Sequence, residues 1–229
     1  MPSWLFRVFV GLVRITLSDR TLALQARKPS GLLGRFVLQL MFIKGNTELN
    51  ALVLEQLKLQ SGEHVLEIGF GPGVLLNKMA EAISVGEVTG HVTGLDFSET
   101  MFQVASERNQ VWILEERMTL RLGSSDAMPF EDKSFDKVAT SNTLYFWQPP
   151  QAHLQEIYRV LKPAGLLVLG FRDKKQMDEM QLDRWVFNAH SQKAVKKILK
   201  SAGFENVEII CQPAVPFDSY VALAIKPSY

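Results

Sequence analysis

From Glu63 to the C-terminus, the chain alternates short apolar, β-branched runs with longer segments whose apolar residues recur at helical spacing. The short runs predict strands, and the longer segments predict helices between them. Such alternation is typical of a parallel sheet covered by helices on both faces. The predicted strands are 64–69, 88–95, 118–122, 135–141, 165–171, 205–211 and 219–226, and the predicted helices are 73–84, 98–109, 150–161 and 190–202.

The last two predicted strands are joined by QPAVPFD (212–218), which is too short for a helical crossover. One strand near the C-terminus is therefore expected to run antiparallel to its neighbours. Ser98 and Ser191 are predicted N-caps, and KPAG (162–165) predicts a stop and turn before the fifth strand. The pattern as a whole predicts an α/β fold with a Rossmann-like, seven-stranded, mostly parallel sheet, one antiparallel strand near the C-terminus and helices on both faces.

The N-terminal part of the chain has a different pattern. Residues 1–50 are apolar and helical in spacing, which predicts an N-terminal helical cap or lid on a domain formed by 51–229. Residues 1–47 carry seven basic side chains and one acid, a net charge of +6. An apolar helix with arginines over residues 1–20 must bury its apolar side, either as a lid, in an oligomer interface, or by peripheral contact with an anionic membrane.

Composition and charge narrow the functional classes. A chain of 229 residues with 47% hydrophobic residues can bury one substantial core. Its net charge of +1 gives no general attraction to nucleic acid, so no nucleic-acid partner is predicted. No apolar run has the length of a membrane-spanning helix. The single cysteine, Cys211, is predicted to be a small core residue, and the protein is expected to be cytoplasmic, with or without membrane association.

The stretch EHVLEIGFGPGVLLNKMA (63–80) places three glycines, Gly69, Gly71 and Gly73, between a predicted strand and a predicted helix. This arrangement puts backbone N–H groups at the carboxyl edge of a parallel sheet, where ligands bind. A dinucleotide fingerprint needs a third glycine where Val74 stands. The string of a phosphate-binding P-loop is absent from the sequence, so a nucleoside triphosphate is unsupported.

The pattern E-x-G-x-G-x-G, with Glu67 before the glycines, resembles the first motif of class I S-adenosylmethionine-dependent methyltransferases. The resemblance continues in order through HVTGLDFS (91–98), GSSDAMPFEDKSFDKV (123–138) and YRVLKPAGLLVL (158–169). It covers about residues 45–227 and is nearest to the subgroup that methylates small molecules and lipid quinones. The family's cofactor, S-adenosyl-L-methionine, is therefore the expected cofactor.

The resemblance implies roles for individual residues. The glycines let the backbone lie against the methionine and ribose portions of the cofactor, and Asp96 accepts hydrogen bonds from both ribose hydroxyls. Asp126 contacts the adenine amino group, while Glu67 either binds the cofactor's amino group or only orders the loop. Phe97 and Met128 are either walls of the adenine site or core residues. The expected cofactor-binding residues are Glu67, Gly69, Gly71, Gly73, Asp96, Phe97, Ser125, Asp126, Ala127 and Asn142.

The segment ATSNTLYFWQPP (139–150) follows the fourth predicted strand, where the family places the methyl donor and acceptor. Its aromatic residues either line an acceptor pocket or belong to the core. His153 is the histidine nearest in sequence and would be a general base if the acceptor carries a proton to remove. The candidates for catalytic roles are Asn142, Tyr145, Trp147 and His153.

These observations predict methyl transfer to a small, lipophilic acceptor by in-line displacement, which needs alignment and a dry site rather than a nucleophilic side chain. The alternative is a regulatory or accessory protein that binds the cofactor without turnover. No cluster with metal-ligand spacing occurs, so no metal is predicted.

Overall fold

The computed structural model describes residues 18–84, 90–215 and 217–228, so most of the N-terminal helix predicted over 1–20 lies outside the described residues. Strands form where apolar runs were found in the sequence, within a few residues of the predicted bounds. The strands are β1 (His64–Ile68), β2 (His91–Asp96), β3 (Met118–Leu122), β4 (Phe135–Ser141), β5 (Leu161–Phe171), β6 (Glu205–Gln212) and β7 (Ser219–Ile225).

Helices connect these strands and precede the first one. The helices are α1 (Asp19–Arg27), a π-helix (Leu33–Leu38), α2 (Gln39–Gly45), α3 (Thr47–Leu57), α4 (Val74–Ile83), α5 (Glu99–Arg108), α6 (Gln110–Leu114), a 3-10 helix (Leu144–Phe146), α7 (Pro150–Val160), α8 (Lys174–Glu179) and α9 (Gln192–Ser201). Both predicted N-caps are confirmed: the Ser98 hydroxyl accepts from the Met101 N–H, and the Ser191 hydroxyl accepts from the Ala194 N–H.

The sheet has the order β3-β2-β1-β4-β5-β7-β6. Strand β7 runs antiparallel to both of its neighbours, and the other pairs are parallel. The short link between β6 and β7 leaves no room for a helix, which forces this reversal. The predicted fold class is thereby confirmed.

Successive residues of the central strands point to opposite faces of the sheet and enter two separate cores. In β1, Leu66 belongs to the core beneath α7 and α9, and Val65 belongs to the core beneath α3 and α4. In β5, Leu167 belongs to the core beneath α7 and α9, and Val168 belongs to the core beneath α3 and α4. Because both faces are covered, these strands are apolar throughout instead of alternating with polar residues.

Three local predictions need correction. Strand β5 begins at Leu161, which pairs with Phe135, so KPAG is an irregular part of the strand with Ala164 at a φ of 59° instead of a turn before it. Helices α6 and α8 were not predicted. Cys211 is exposed instead of buried, because β6 pairs with β7 alone among the described strands and so forms an edge of the sheet.

Candidate active site

The carboxyl ends of the central strands meet where the strand order reverses, since β1 lies between β2 and β4. Ligands bind at this edge in open α/β sheets. A cavity of about 370 Å³ opens there. The loops after β1, β2, β3 and β4 line it, together with residues from α1, α2 and α3.

The glycine loop after β1 adopts a backbone that side chains disfavour. Gly69, Gly71 and Gly73 have φ values of 70°, 51° and 72°, in the left-handed region. A Cβ on Gly69 would collide with Thr143, and a Cβ on Gly73 would collide with Asn109. Gly71 faces more open space within the cavity wall. Gly69 and Gly73 are thus required by protein packing as well as by the turn. At Gly71 the absence of a side chain leaves the backbone accessible from the cavity.

Asp96 fixes this loop from the end of β2. One carboxylate oxygen accepts from the Gly71 N–H and the other accepts from the Ser98 N–H, both at 2.9 Å. The side chain is buried, and burial raises the pKa of Asp96 to about 6 although the hydrogen bonds oppose the shift. Asp96 therefore joins the glycine loop to the start of α5 and presents negative charge to the cavity at neutral pH.

Glu67 is the second acid at this end of the cavity. It is 2% exposed, and its Oε2 has no hydrogen-bond partner among the residues described. Burial, with the neighbouring charge of Asp96, raises the pKa of Glu67 well above its usual range. A buried acceptor without a partner is costly, and it fits a ligand that brings a donor or a positive charge. The ammonium group of S-adenosylmethionine is such a group.

A polar cluster lies further along the cavity, where the resemblance places the adenine. Ser125 Oγ and His153 Nδ1 are 2.7 Å apart, and the His153 ring stacks on Trp147 with centroids 5.1 Å apart. His153 is half-buried, and burial lowers its pKa below the ordinary value. Asp126 is exposed, and a hydrogen bond from the Ser124 side chain lowers its pKa.

Another part of the cavity wall is formed around Asn142, which has a φ of 58° after β4. Its side-chain amide donates to Asn46 Oδ1 at 2.8 Å, and its oxygen accepts from the Tyr145 hydroxyl. Tyr145 is buried, which raises its pKa. The Tyr145 ring packs against Phe146 and Phe187. The hydrogen-bonded side chains of Asn46, Asn142 and Tyr145 therefore lie beside a cluster of aromatic rings.

Most of the predicted site residues line this one cavity, and Gly73 and Ala127 do not. Met128 lies in the core beneath α7 and α9. Those that line the cavity are Glu67, Gly69, Gly71, Asp96, Phe97, Ser125, Asp126, Asn142, Tyr145, Trp147 and His153.

Sequence reasoning missed several lining residues. Asn46 and Asn50 lie one helical turn apart across the start of α3, and Arg172 follows the apolar run of β5 directly. Polar residues four apart in an apolar helix, and a charged residue at the carboxyl end of a buried strand, are the signals that could have revealed them. Their convergence in space depends on long-range packing.

Within the described residues, no group of three or more histidine, cysteine or acidic side chains is placed to hold a metal ion. The described part of the chain also contains no helix of the length and apolarity that would span a membrane.

Comparison with known proteins gives a consistent family. Residues 66–169 match the methyltransferase domain family. The uncharacterized methyltransferase YdaC of Bacillus subtilis is 28% identical over 183 residues, which are 80% of this chain and 94% of that protein.

A demethylmenaquinone methyltransferase of Lactiplantibacillus plantarum is 35% identical over 115 residues, half of this chain and 47% of the relative's own length. The structure of a Haemonchus contortus phosphoethanolamine N-methyltransferase, in complex with phosphomonomethylethanolamine and S-adenosylhomocysteine, superimposes with a TM-score of 0.65 at 18% identity. That match covers 78% of this chain and 52% of the other, and it shows a shared fold.

Proposed function

The chain belongs to the class I S-adenosylmethionine-dependent methyltransferase family, and from this premise we propose that it transfers a methyl group to a small, lipophilic acceptor. The predicted family, enzyme class and cofactor are confirmed by the matching domain and the methyltransferase relatives. The acceptor class is the proposed part. Support for it comes from a relative named for demethylmenaquinone, a lipid-soluble quinone, and from the apolar end of the cavity.

The observation that carries this proposal is that one cavity combines two different chemical environments. At one end, the buried acids Glu67 and Asp96 lie beside the glycine loop and suit a cationic nucleoside. At the other end, the walls are mostly apolar, formed by Phe146, Met177, Leu182 and Phe187. A donor and an apolar acceptor can therefore meet inside a single cavity.

The acids hold the donor. Glu67 Oε2 would accept from the cofactor's ammonium group, which would supply the partner that this buried oxygen lacks among the described side chains. Each oxygen of Asp96 already accepts one backbone N–H and retains capacity for a ribose hydroxyl. Asp126 and Ser125, which line the cavity, would hold the adenine, beside the stacked rings of Trp147 and His153.

When bound, S-adenosylmethionine supplies an electrophilic methyl carbon on a sulfonium that is already a good leaving group. The protein therefore contributes alignment and exclusion of water rather than a covalent step. Asn142 is held by Asn46 and Tyr145, so its orientation is fixed where donor and acceptor meet. The aromatic side chains beside it position the acceptor's apolar body.

His153 is the predicted general base for an acceptor that carries a proton to remove. Its lowered pKa keeps the ring neutral at pH 7, and its Nδ1 is engaged with Ser125, which leaves Nε2 as the accepting atom. This role requires the acceptor to reach the part of the cavity beside Ser125 and Trp147, whereas an acceptor that binds already ionised needs no base.

We also propose that residues 1–50 are a cap over a domain formed by 51–229. Ala26, Arg27 and Pro29 line the cavity, and the Ser98 hydroxyl donates to the Pro29 carbonyl at 2.6 Å. Leu32 and Phe36 are 76% and 61% exposed. Together with the basic side chains of the segment, they suit contact with an anionic membrane from which a lipophilic acceptor could enter.

The membrane contact can be tested by sedimentation with anionic liposomes. Replacing both exposed side chains, Leu32→Ser and Phe36→Ser, should reduce sedimentation, whereas Leu114→Ser on α6 should not, although Leu114 is 74% exposed. A wild-type protein that never sediments with anionic liposomes would contradict the contact.

The acceptor can be sought with methyl-labelled S-adenosylmethionine and fractionated cell extract. We expect label in the fraction soluble in organic solvent. Glu67→Gln, which removes the negative charge proposed to face the ammonium, should reduce this labelling together with cofactor binding.

A further inference from the structure

Buried polar atoms without partners are concentrated in the cavity. Among the residues that the structure describes, six buried side-chain atoms lack a hydrogen-bond partner, and four of them belong to cavity-lining residues. Glu67 Oε2 is assigned above to the cofactor's ammonium. The remaining three are Asn50 Oδ1, Ser141 Oγ and Arg172 Nη1. Since each such atom is costly when left alone, their concentration at one place indicates a polar ligand group.

Arg172 is the charged member of this group. It directly follows β5, and its Nη2 donates to the Gly45 carbonyl at 3.0 Å, which leaves Nη1 buried and without a partner in the described chain. The guanidinium lies 5.9 Å from the centroid of the Phe217 ring. No carboxylate among the described residues forms an ion pair with it.

The neighbouring elements bring the other two atoms to the same end of the cavity. Gly170, near the end of β5, lets α3 pack closely, since a Cβ there would lie 2.7 Å from Val53 Cγ2. Gly45, the hydrogen-bond partner of Arg172, ends α2, and Asn46 alone separates it from α3, the helix that carries Asn50. Ser141 ends β4, next to Gly170 in the parallel register.

We propose that Arg172 determines acceptor specificity by binding an ionised oxygen on an apolar, ring-bearing acceptor, an enolate or a phenolate. This inference rests on the proposed methyltransferase function and specifies its substrate class. A guanidinium N–H forms its strongest hydrogen bonds with an anionic oxygen, and the surrounding aromatic and aliphatic side chains suit a ring. Asn50 Oδ1 accepts from a donor on the same acceptor, and the Ser141 hydroxyl adds a second polar contact.

The assignment has a chemical consequence for methyl transfer. An acceptor that binds already ionised has left its proton in solution, so no base is needed at the moment of transfer. Its electron pair forms the new bond to the methyl carbon while the sulfur–methyl bond breaks and its electrons go to sulfur. The negative charge of the acceptor and the positive charge of the sulfonium cancel as the new bond forms.

Binding of two matched ring compounds tests this assignment. The probes are 2-hydroxy-1,4-naphthoquinone, an enol that is ionised at neutral pH, and its neutral ether 2-methoxy-1,4-naphthoquinone, with 2-naphthoate as a carboxylate. Calorimetry would use the full chain saturated with S-adenosylhomocysteine. We expect wild-type protein to bind the enolate at least about tenfold more tightly than the ether.

The variants separate a specificity role from a structural one. Arg172→Met should abolish the preference for the enolate while the affinities for S-adenosylhomocysteine and for the ether stay within about twofold, and Arg172→Lys should recover part of the preference. Arg117→Met is the matched control and should bind all three probes as wild type does. Arg117 lies just before β3, away from the cavity, and pairs with Glu115 at 3.9 Å.

Several results would overturn the proposal. One is that wild-type protein does not bind the enolate, or binds it no more tightly than the ether. A second is that the preference for the enolate survives in Arg172→Met. A third is that Arg172→Met loses affinity for all ligands and has a lower melting temperature as well. Binding of 2-naphthoate alone would also reject an enolate or phenolate. Failure of wild-type protein to bind S-adenosylhomocysteine would instead contradict the proposed function on which this inference rests.

Discussion

The two ends of the cavity differ in how they are built. The donor end is formed by short continuous segments at the carboxyl ends of β1 and β2, where Asp96 bonds directly to the glycine loop and to the start of α5. The acceptor end draws on the α2–α3 junction, the 3-10 helix, the end of β5 and the α8 region. Few of these segments are adjacent in sequence.

From this difference we expect the donor end to tolerate fewer substitutions than the acceptor end. Backbone N–H groups and buried carboxylates at strand ends are held by the sheet itself, so the donor end can be maintained by a few residues. Side chains on helices and loops outside the sheet can change without disturbing the core. Variants at the donor end should therefore alter cofactor binding, and variants at the acceptor end should spare it.

The largest effect is expected for Asp96→Ala, because it removes the acceptor of two backbone N–H groups. The free energy of unfolding should fall by about 2–5 kcal/mol, and affinity for the cofactor should fall by about 1.5–3 kcal/mol. Chemical denaturation and calorimetry measure the two quantities. Asp132→Ala, at an exposed ion pair with Arg159, is the control and should change neither appreciably.

Glu67→Gln should lower the affinity for the cofactor and raise the stability of the protein. Losing the charge that faces the ammonium should weaken cofactor binding by at least about tenfold. The free energy of unfolding should rise by about 1 kcal/mol, because the buried carboxylate oxygen has no partner among the described residues. A variant that loses stability and keeps its affinity would show that Glu67 only orders the loop.

Lowering the pH should weaken the donor end alone. Because the pKa of Asp96 is about 6, its ionised fraction falls about tenfold between pH 7 and pH 5, and cofactor affinity should fall by a similar factor. Stability moves the other way. A carboxyl pKa raised in the folded state stabilises the ligand-free protein at low pH, and this contribution is lost as pH rises through about 6.

Calorimetric titrations with the cofactor from pH 5 to pH 7 would measure this dependence. Asp96→Asn should remove the part of the affinity profile that comes from Asp96 and leave the part that comes from Glu67, whose pKa is also raised. If wild-type affinity is the same across the range, the carboxylate of Asp96 does not contribute to cofactor binding.

The smallest effect is expected at the acceptor end. Tyr145→Phe removes the hydrogen bond to Asn142 and should cost about 0.5–1.5 kcal/mol of unfolding free energy. Cofactor affinity should stay within about twofold, while turnover of a lipophilic acceptor falls. A large loss of cofactor affinity in this variant would remove the distinction between the two ends.

The two ends of the cavity also differ in how much of each could be predicted from sequence. The seven strands and the one antiparallel strand near the C-terminus follow from apolar runs and from the length of the links between them, and these predictions are confirmed. The glycine loop and the acids after it form ordered motifs within single βα units, so local reasoning reaches them. Their roles toward the cofactor stay predictions.

Asn50, Ser141 and Arg172 could not be placed in the same way. Asn50 and Arg172 look unremarkable beside their sequence neighbours, whereas Ser141 lies within the segment 139–150 described above. The three residues line one cavity, at which α3 packs against β5 at Gly170. The exposed Cys211 shows the same limit, since its apolar surroundings in sequence do not reveal that β6 is an edge strand. Both the position of the cavity residues and the exposure of Cys211 depend on packing between segments that are far apart in sequence.

The central claim is that one cavity joins a donor held by Glu67 and Asp96 to a lipophilic acceptor. The most direct measurement is the transfer of label from methyl-labelled S-adenosylmethionine to the lipid extract of cells, using wild-type protein and Glu67→Gln at equal concentration. Labelled product in the organic phase with wild type, and much less with the variant, is the predicted result. Saturable cofactor binding with label confined to water-soluble or protein fractions would contradict the account.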